Sequence, residues 1–124
     1  MSSTTAPAPS DPREHLEQVI LPFWFEHGID SEAGGFFTCF DNRGAQRVST
    51  DKFTWSQGRF VWLLARAARL AQQDLLTVDA RQALDAARAG ARFLLEHAVR
   101  PDATTRFVVG RRGGRPESTG QPER

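Results

Sequence analysis

Between Lys52 and Arg66 the chain carries five side chains whose types and spacing could do chemistry together: Lys52, Trp55, Arg59, Trp62 and Arg66. On a helix advancing about 100° per residue they fall within an arc of about 80°. Two indoles and three cations would then share one face. An aromatic face stacks on the C–H side of a pyranose, and a guanidinium offers a fixed fork of donors to sugar oxygens, so such a stripe suits a carbohydrate. The same periodicity also fits a core helix whose Arg and Lys stems reach outward past packed tryptophans. Wheel geometry leaves both readings open.

The helix that would hold these residues is predicted from about Asp51 to Gln73, after Ser49, Thr50 and Asp51 as capping candidates. Phe53, Phe60, Val61, Leu63, Leu64 and Leu70 make it apolar around most of its circumference, which predicts burial on several sides. Gly58, Ala65 and Ala68 give it a small-residue side where another helix could approach closely. Upstream, Asp11, Pro12 and Glu14 have the order of a helix start. Leu16, Val19, Ile20, Phe23, Trp24 and His27 form its apolar stripe, Gly28 is its stop, and Pro22 should kink it. Phe36 to Phe40 and Ala45 to Val48 read as the arms of a short β-hairpin around Asp41-Asn42-Arg43-Gly44. A third helix, about Val78 to Val99, is amphipathic, with Leu84, Ala87, Ala91, Leu94 and Ala98 on its inward side. Arg106 to Val109 reads as one isolated strand. The expected organisation is a disordered tail over 1–10, a helical domain over 11–109 and a disordered Arg- and Gly-rich tail over 110–124.

Composition narrows the class. The 124 residues include 40% hydrophobic and 25% charged residues, the balance of an ordinary globular domain. Lys and Arg number 16 against 15 Asp and Glu, so overall charge gives no reason to expect nucleic acid or an acidic membrane as partner. Arg106, Arg111, Arg112 and Arg115 lack the interleaved aromatics of a nucleic-acid site and read as a solvated tail. Cys39 is the single cysteine, which excludes an internal disulfide and makes a reducing compartment, the cytoplasm, the simplest setting. No apolar run reaches the length of a membrane span. No phosphate loop or metal-ligand cluster is visible, and no cofactor is implied.

Lys52-Phe53-Thr54-Trp55-Ser56-Gln57-Gly58-Arg59-Phe60-Val61-Trp62, preceded by Leu21-Pro22-Phe23-Trp24 and by Asp30 with Gly34-Gly35-Phe36-Phe37-Thr38-Cys39, resembles the N-terminal region of the N-acylglucosamine 2-epimerase family. The K-x-x-W-x-Q-G-R-x-V-W run is its specific part. Similar runs occur in cellobiose 2-epimerases and mannose isomerases, so the resemblance determines the family better than the sugar. It implies an all-α fold, an (α/α)6 barrel of which this chain would hold the first three or so helices plus a short β-hairpin, with the Lys52 to Trp62 helix on the inner ring. It implies a small-molecule sugar substrate contacted by Arg59, with Trp55 and Lys52 lining or bracing the pocket, and Gln57 and Trp62 holding the helix against its neighbours. The full-length family allows a homodimer.

The family's reaction inverts C2 of an open-chain aldose: a proton leaves the carbon next to the carbonyl and returns from the opposite face while the enediolate oxygen is stabilised. Its catalytic histidines lie on later helices, and His15, His27 and His97 match none of those positions. No catalytic residue is assigned. The expectation is thus a truncated or frame-shifted 2-epimerase acting on an N-acylhexosamine or related aldose, inactive alone. The alternative is a non-catalytic helical module that binds carbohydrate or protein.

Overall fold

The computed structural model describes residues 11–117. The tail expected over 1–10 and residues 118–124 of the second tail lie outside them. Helix-rich sequence and two small antiparallel sheets make up the described chain.

Asp11 caps the first helix by accepting from the Arg13 N–H, and Pro12 takes the first helical position, where its missing donor costs nothing. α1 (Pro12–His15) continues through a π-helical stretch, Leu16–Ile20, into α2 (Leu21–His27). Pro22 has no N–H to give to the preceding turn, and the backbone widens just before it, with the Leu21 N–H reaching the Leu16 carbonyl. The kink expected at Pro22 takes this form.

The predicted hairpin is present in shorter arms. β1 (Cys39–Phe40) pairs antiparallel with β2 (Arg47–Ser49), and the Asp41 carboxylate accepts from the Arg43 and Ala45 N–H groups to shape the turn. The strand read as isolated has a partner: β3 (Lys52–Phe53) pairs antiparallel with β4 (Val108–Val109), Lys52 opposite Val109. That pairing takes Lys52 and Phe53 out of the helix, so α3 (Thr54–Gln72) begins three residues later than the wheel assumed.

α4 (Ala80–Phe93), capped by the Asp79 carboxylate on the Gln82 N–H, extends through a second π-helical stretch, Leu94–Ala98. It lies along α3, and the core joins Leu64 and Ala67 of α3 to Ala86 and Ala87 of α4, with Leu21, Phe36 and Leu76 closing the ends. The inward face of α4 is Ala83, Ala86, Ala87, Gly90 and Phe93, rotated from the expected Leu84, Ala91 and Leu94, which are half-buried. Small side chains decide this: a Cβ on Gly90 would stand 2.6 Å from Phe36 Cε2 and 2.9 Å from Val61 Cγ2, so the backbones meet where nothing protrudes.

Among the described residues α3 is covered on one side, where burial on several was expected. Trp55 and Trp62 are 68% and 66% exposed. Of the small residues expected to receive a neighbour, Ala68 is buried, Ala65 is exposed and a Cβ on Gly58 would meet nothing within 4 Å. The covered side instead carries Gln57, Leu64, Ala67 and Ala68.

Candidate functional site

Trp55, Arg59, Trp62, Arg66 and Arg69 recur every three or four residues along α3 and all are exposed, so they form one stripe facing away from the core. One turn after Trp55, the Arg59 guanidinium lies over its indole, Cζ 4.2 Å from the ring centroid. Stacking of this kind uses the flat face of the guanidinium and leaves its N–H edge free to donate. No acidic residue occurs in α3, and among the described residues Arg59, Arg66 and Arg69 have no carboxylate partner.

The opposite side of the same motif is polar and buried. Gln57, fully buried, accepts the Phe36 N–H at its Oε1 and donates from Nε2 to the Phe36 carbonyl, each at 2.8 Å, satisfying the backbone groups of Phe36 that its bridge to Ile29 leaves over. Gly35, at φ 75°, lets the chain pass so close that an added Cβ would lie 2.8 Å from that Gln57 Oε1.

Lys52 points inward as well. Its Nζ donates to Asp30 Oδ2 at 2.7 Å, the Gly34 carbonyl at 2.6 Å and the Arg111 carbonyl at 2.9 Å, which uses all three of its protons. Neither the Lys52 nor the Asp30 side chain is exposed. Asp30 also accepts from Arg111 through Nε at 2.9 Å and through a terminal nitrogen at 3.1 Å, and from the Glu32 and Ala33 N–H groups. Burial pushes the Asp30 carboxyl up, but the hydrogen bonds from Arg111, Lys52 and Ala33 outweigh it and hold the group well below the ordinary carboxylate range. Burial lowers Lys52 from its ordinary value, with Asp30 opposing the shift; the hydrogen bonds that Arg111 donates to Asp30 raise Arg111. Lys52 Nζ also sits 4.5 Å from the Phe93 ring centroid.

This cluster corrects two expectations. Lys52 is not on the α3 stripe, because β3 turns its side chain toward Asp30 instead of toward solvent. Residues 110–117 are not a loose tail: Arg111 and Arg112 reach Asp30 and Glu32, and the Glu117 N–H donates to Asp51 at 2.6 Å. Buried opposite charge captures an arginine whose sequence neighbourhood is otherwise that of a solvated loop.

Two clefts elsewhere, one between residues 31–35 and α4 and one beside residues 74–79, include none of Lys52, Trp55 or Arg59. His27 packs against Phe23 and His97 against Phe93, while His15 keeps a buried Nδ1 without a hydrogen bond; all three belong to helices other than α3. Among the described residues no group of His, Cys, Asp and Glu is arranged to hold a metal, and no helix is long and apolar enough to cross a membrane.

No family model matches the chain. Curated relatives do: the N-acylglucosamine 2-epimerase of Homo sapiens is 43% identical over 105 residues, that of Mus musculus 41% over 104 and that of Bos taurus 40% over 102. These matches take in 83%, 83% and 82% of this chain. By its matched region this chain belongs with the N-acylglucosamine 2-epimerases. It spans 23% of the length of each of those relatives. A match of 105 residues within 124 necessarily includes the Lys52 to Arg66 stretch, so the split between buried Lys52 and Gln57 and exposed Trp55, Arg59 and Trp62 lies inside the epimerase-like region. Trp62 is on the open side of α3, while Gln57 ties the helix to the Phe36 backbone.

Proposed function

We propose that the open face of α3 is the sugar-gripping element of a 2-epimerase that inverts C2 of an N-acylhexosamine or related aldose. The observation that carries this is the Trp55–Arg59 stack: an exposed indole for the C–H face of a pyranose, with a guanidinium edge beside it for sugar oxygens. During C2 inversion the charge that develops is on the enediolate oxygen, and an arginine already held in place by an aromatic face needs little rearrangement to stabilise it. In this reading the remaining length found in the relatives completes an (α/α)6 barrel with α3 on its inner ring and supplies the histidines that move the proton. His15, His27 and His97 take no part. The chain by itself binds without turning over.

The test is Arg59→Ala, made at the equivalent arginine of the full-length human relative. Turnover should fall about 100-fold with the helical circular dichroism intact. Unchanged kinetics removes Arg59 from the site. In parallel, the emission of Trp55 and Trp62 in this chain is followed during titration with N-acetylglucosamine and N-acetylmannosamine. A response without turnover in the chain, joined to an unaffected Arg59→Ala relative, would favour a carbohydrate-binding module over an epimerase.

A further inference from the structure

Trp55 and Arg59 stand on unequal footing in α3. Arg59 lies in the second turn, where a backbone N–H has its acceptor four residues back. Trp55 is the second residue of the helix, among the first four whose N–H groups have no intrahelical acceptor. A first turn frays unless something holds it. Asp11 and Asp79 cap α1 and α4 with a carboxylate, but Phe53, at the same place before α3, has no side-chain acceptor to offer. The indole is mostly exposed, and a Cβ on Gly58, one turn on, would meet nothing within 4 Å. The stacked pair therefore joins the weakest turn of α3 to a firm one.

That first turn is held by a segment from beyond α4. The Thr54 N–H donates to the Phe107 carbonyl at 3.0 Å, and the Thr54 hydroxyl donates to the Arg106 carbonyl, 52 positions along the chain. The Phe53 and Phe107 rings meet edge to face with centroids 5.6 Å apart, and β3 pairs with β4 just before them. Lys52 adds its bond to the Arg111 carbonyl. Residues 106–111 thus fasten residues 52–54, up to the one that precedes the indole.

We propose that Thr54 is a positioning residue for the Trp55–Arg59 stack: by tying the first turn of α3 to the Arg106 and Phe107 carbonyls, it keeps the indole under the guanidinium. Without its hydroxyl the first turn opens while the second, anchored through the packing of α3 on α4, stays. The guanidinium then loses the ring that aims it, and a shift of about 1 Å in a gripping group costs a site about 100-fold. That consequence rests on the sugar reading of this face; the hold on the stack does not.

The experiment compares the full chain with its Thr54→Val and Thr54→Ser variants by NMR and by titration with N-acetylglucosamine. Valine keeps the shape and removes the hydroxyl; serine keeps the hydroxyl. In Thr54→Val the ring-current shift of the Arg59 side-chain protons should shrink toward its value in Trp55→Leu. The Gly58 amide, whose helical acceptor is the Thr54 carbonyl, should exchange about three- to tenfold faster, the share of one lost hydrogen bond. Amides of Leu64 and Ala67 in the core should keep their protection. The sugar concentration at half-response should rise by a similar factor, and Thr54→Ser should restore all of these. An Arg59 shift and a Gly58 exchange rate unchanged in Thr54→Val overturn the proposal. So does an equal loss of protection at Leu64 and Ala67, which would make Thr54 a contributor to general stability alone. Sugar binding that is absent, or undiminished in Thr54→Val while the stack is disturbed, upholds the positioning and sinks the sugar reading.

Discussion

Lys52 and Asp30 stand 22 positions apart in the chain, and their charged atoms lie 2.7 Å apart with no water-accessible surface on either side chain. The pair joins the loop after α2 to the residue that leads into α3, and Arg111 closes it from the far end of the described chain. An ion pair so buried contributes less to net stability than its short distance suggests, because both charges were desolvated to form it. Losing one partner is another matter. Lys52→Met should cost about 3–5 kcal/mol, since Asp30 remains buried with an altered charge balance beside the partly exposed Arg111. Urea denaturation checks this; a loss below about 1 kcal/mol would show that the cluster is wet and weakly coupled.

The same cluster sets an acid limit. Asp30 titrates below its ordinary value of 3.8 in the folded chain, so its contribution is complete above that value and is lost as pH falls through the folded one. Lys52, lowered from 10.5, gives the same sign on the alkaline side: stability from this group grows as pH rises toward its unfolded value. Thermal midpoints should therefore fall steadily below about pH 4, and this acid slope should flatten in Asp30→Asn. An identical slope in the variant would assign acid unfolding to other carboxylates.

Gln57 pairs the Phe36 N–H and carbonyl that the bridge to Ile29 does not use. Gln57→Leu keeps the volume but strands a buried N–H and a buried carbonyl, each worth about 1–3 kcal/mol when left unpaired. The expected result is a cooperative transition at lower urea, with slowed exchange of the Phe36 amide lost. Persistence of Phe36 protection would mean that another acceptor takes over.

Two glycines on the facing helices should respond in opposite directions. Gly90→Ala forces a Cβ into Phe36 and Val61, an overpacking cost of about 1–3 kcal/mol that exceeds the gain of about 1 kcal/mol in helix propensity. Gly58→Ala meets nothing and should stabilise by about 0.5–1 kcal/mol. Thermal melts of both variants decide the point, and a destabilised Gly58→Ala would reveal a neighbour on the open face.

Local patterning made much of the fold legible. Asp11-Pro12 and Asp79 act as helix starts because capping is a short-range matter of one side chain and two or three N–H groups, and the Asp41 turn follows the same rule. The Lys52 to Trp62 run was also enough to place the chain among the epimerases, because a specific order of residue types is carried by the sequence itself. Which residues of that run touch solvent was not legible. A wheel assumes that the helix already includes Lys52, yet pairing with Val109, 57 positions later, turns that residue into a strand and swings its ammonium toward Asp30.

Sequence alone therefore determined the helices, the hairpin and the family, all of which depend on neighbours within a few turns or on residue order. Only the tertiary structure decided that Lys52 and Gln57 are buried braces, that Arg111 belongs to a buried ion cluster, and that Trp55 and Arg59 stand together on the open side of α3. Those outcomes depend on which distant backbone satisfies a buried charge or amide, and no periodicity in a single segment encodes where that partner will be.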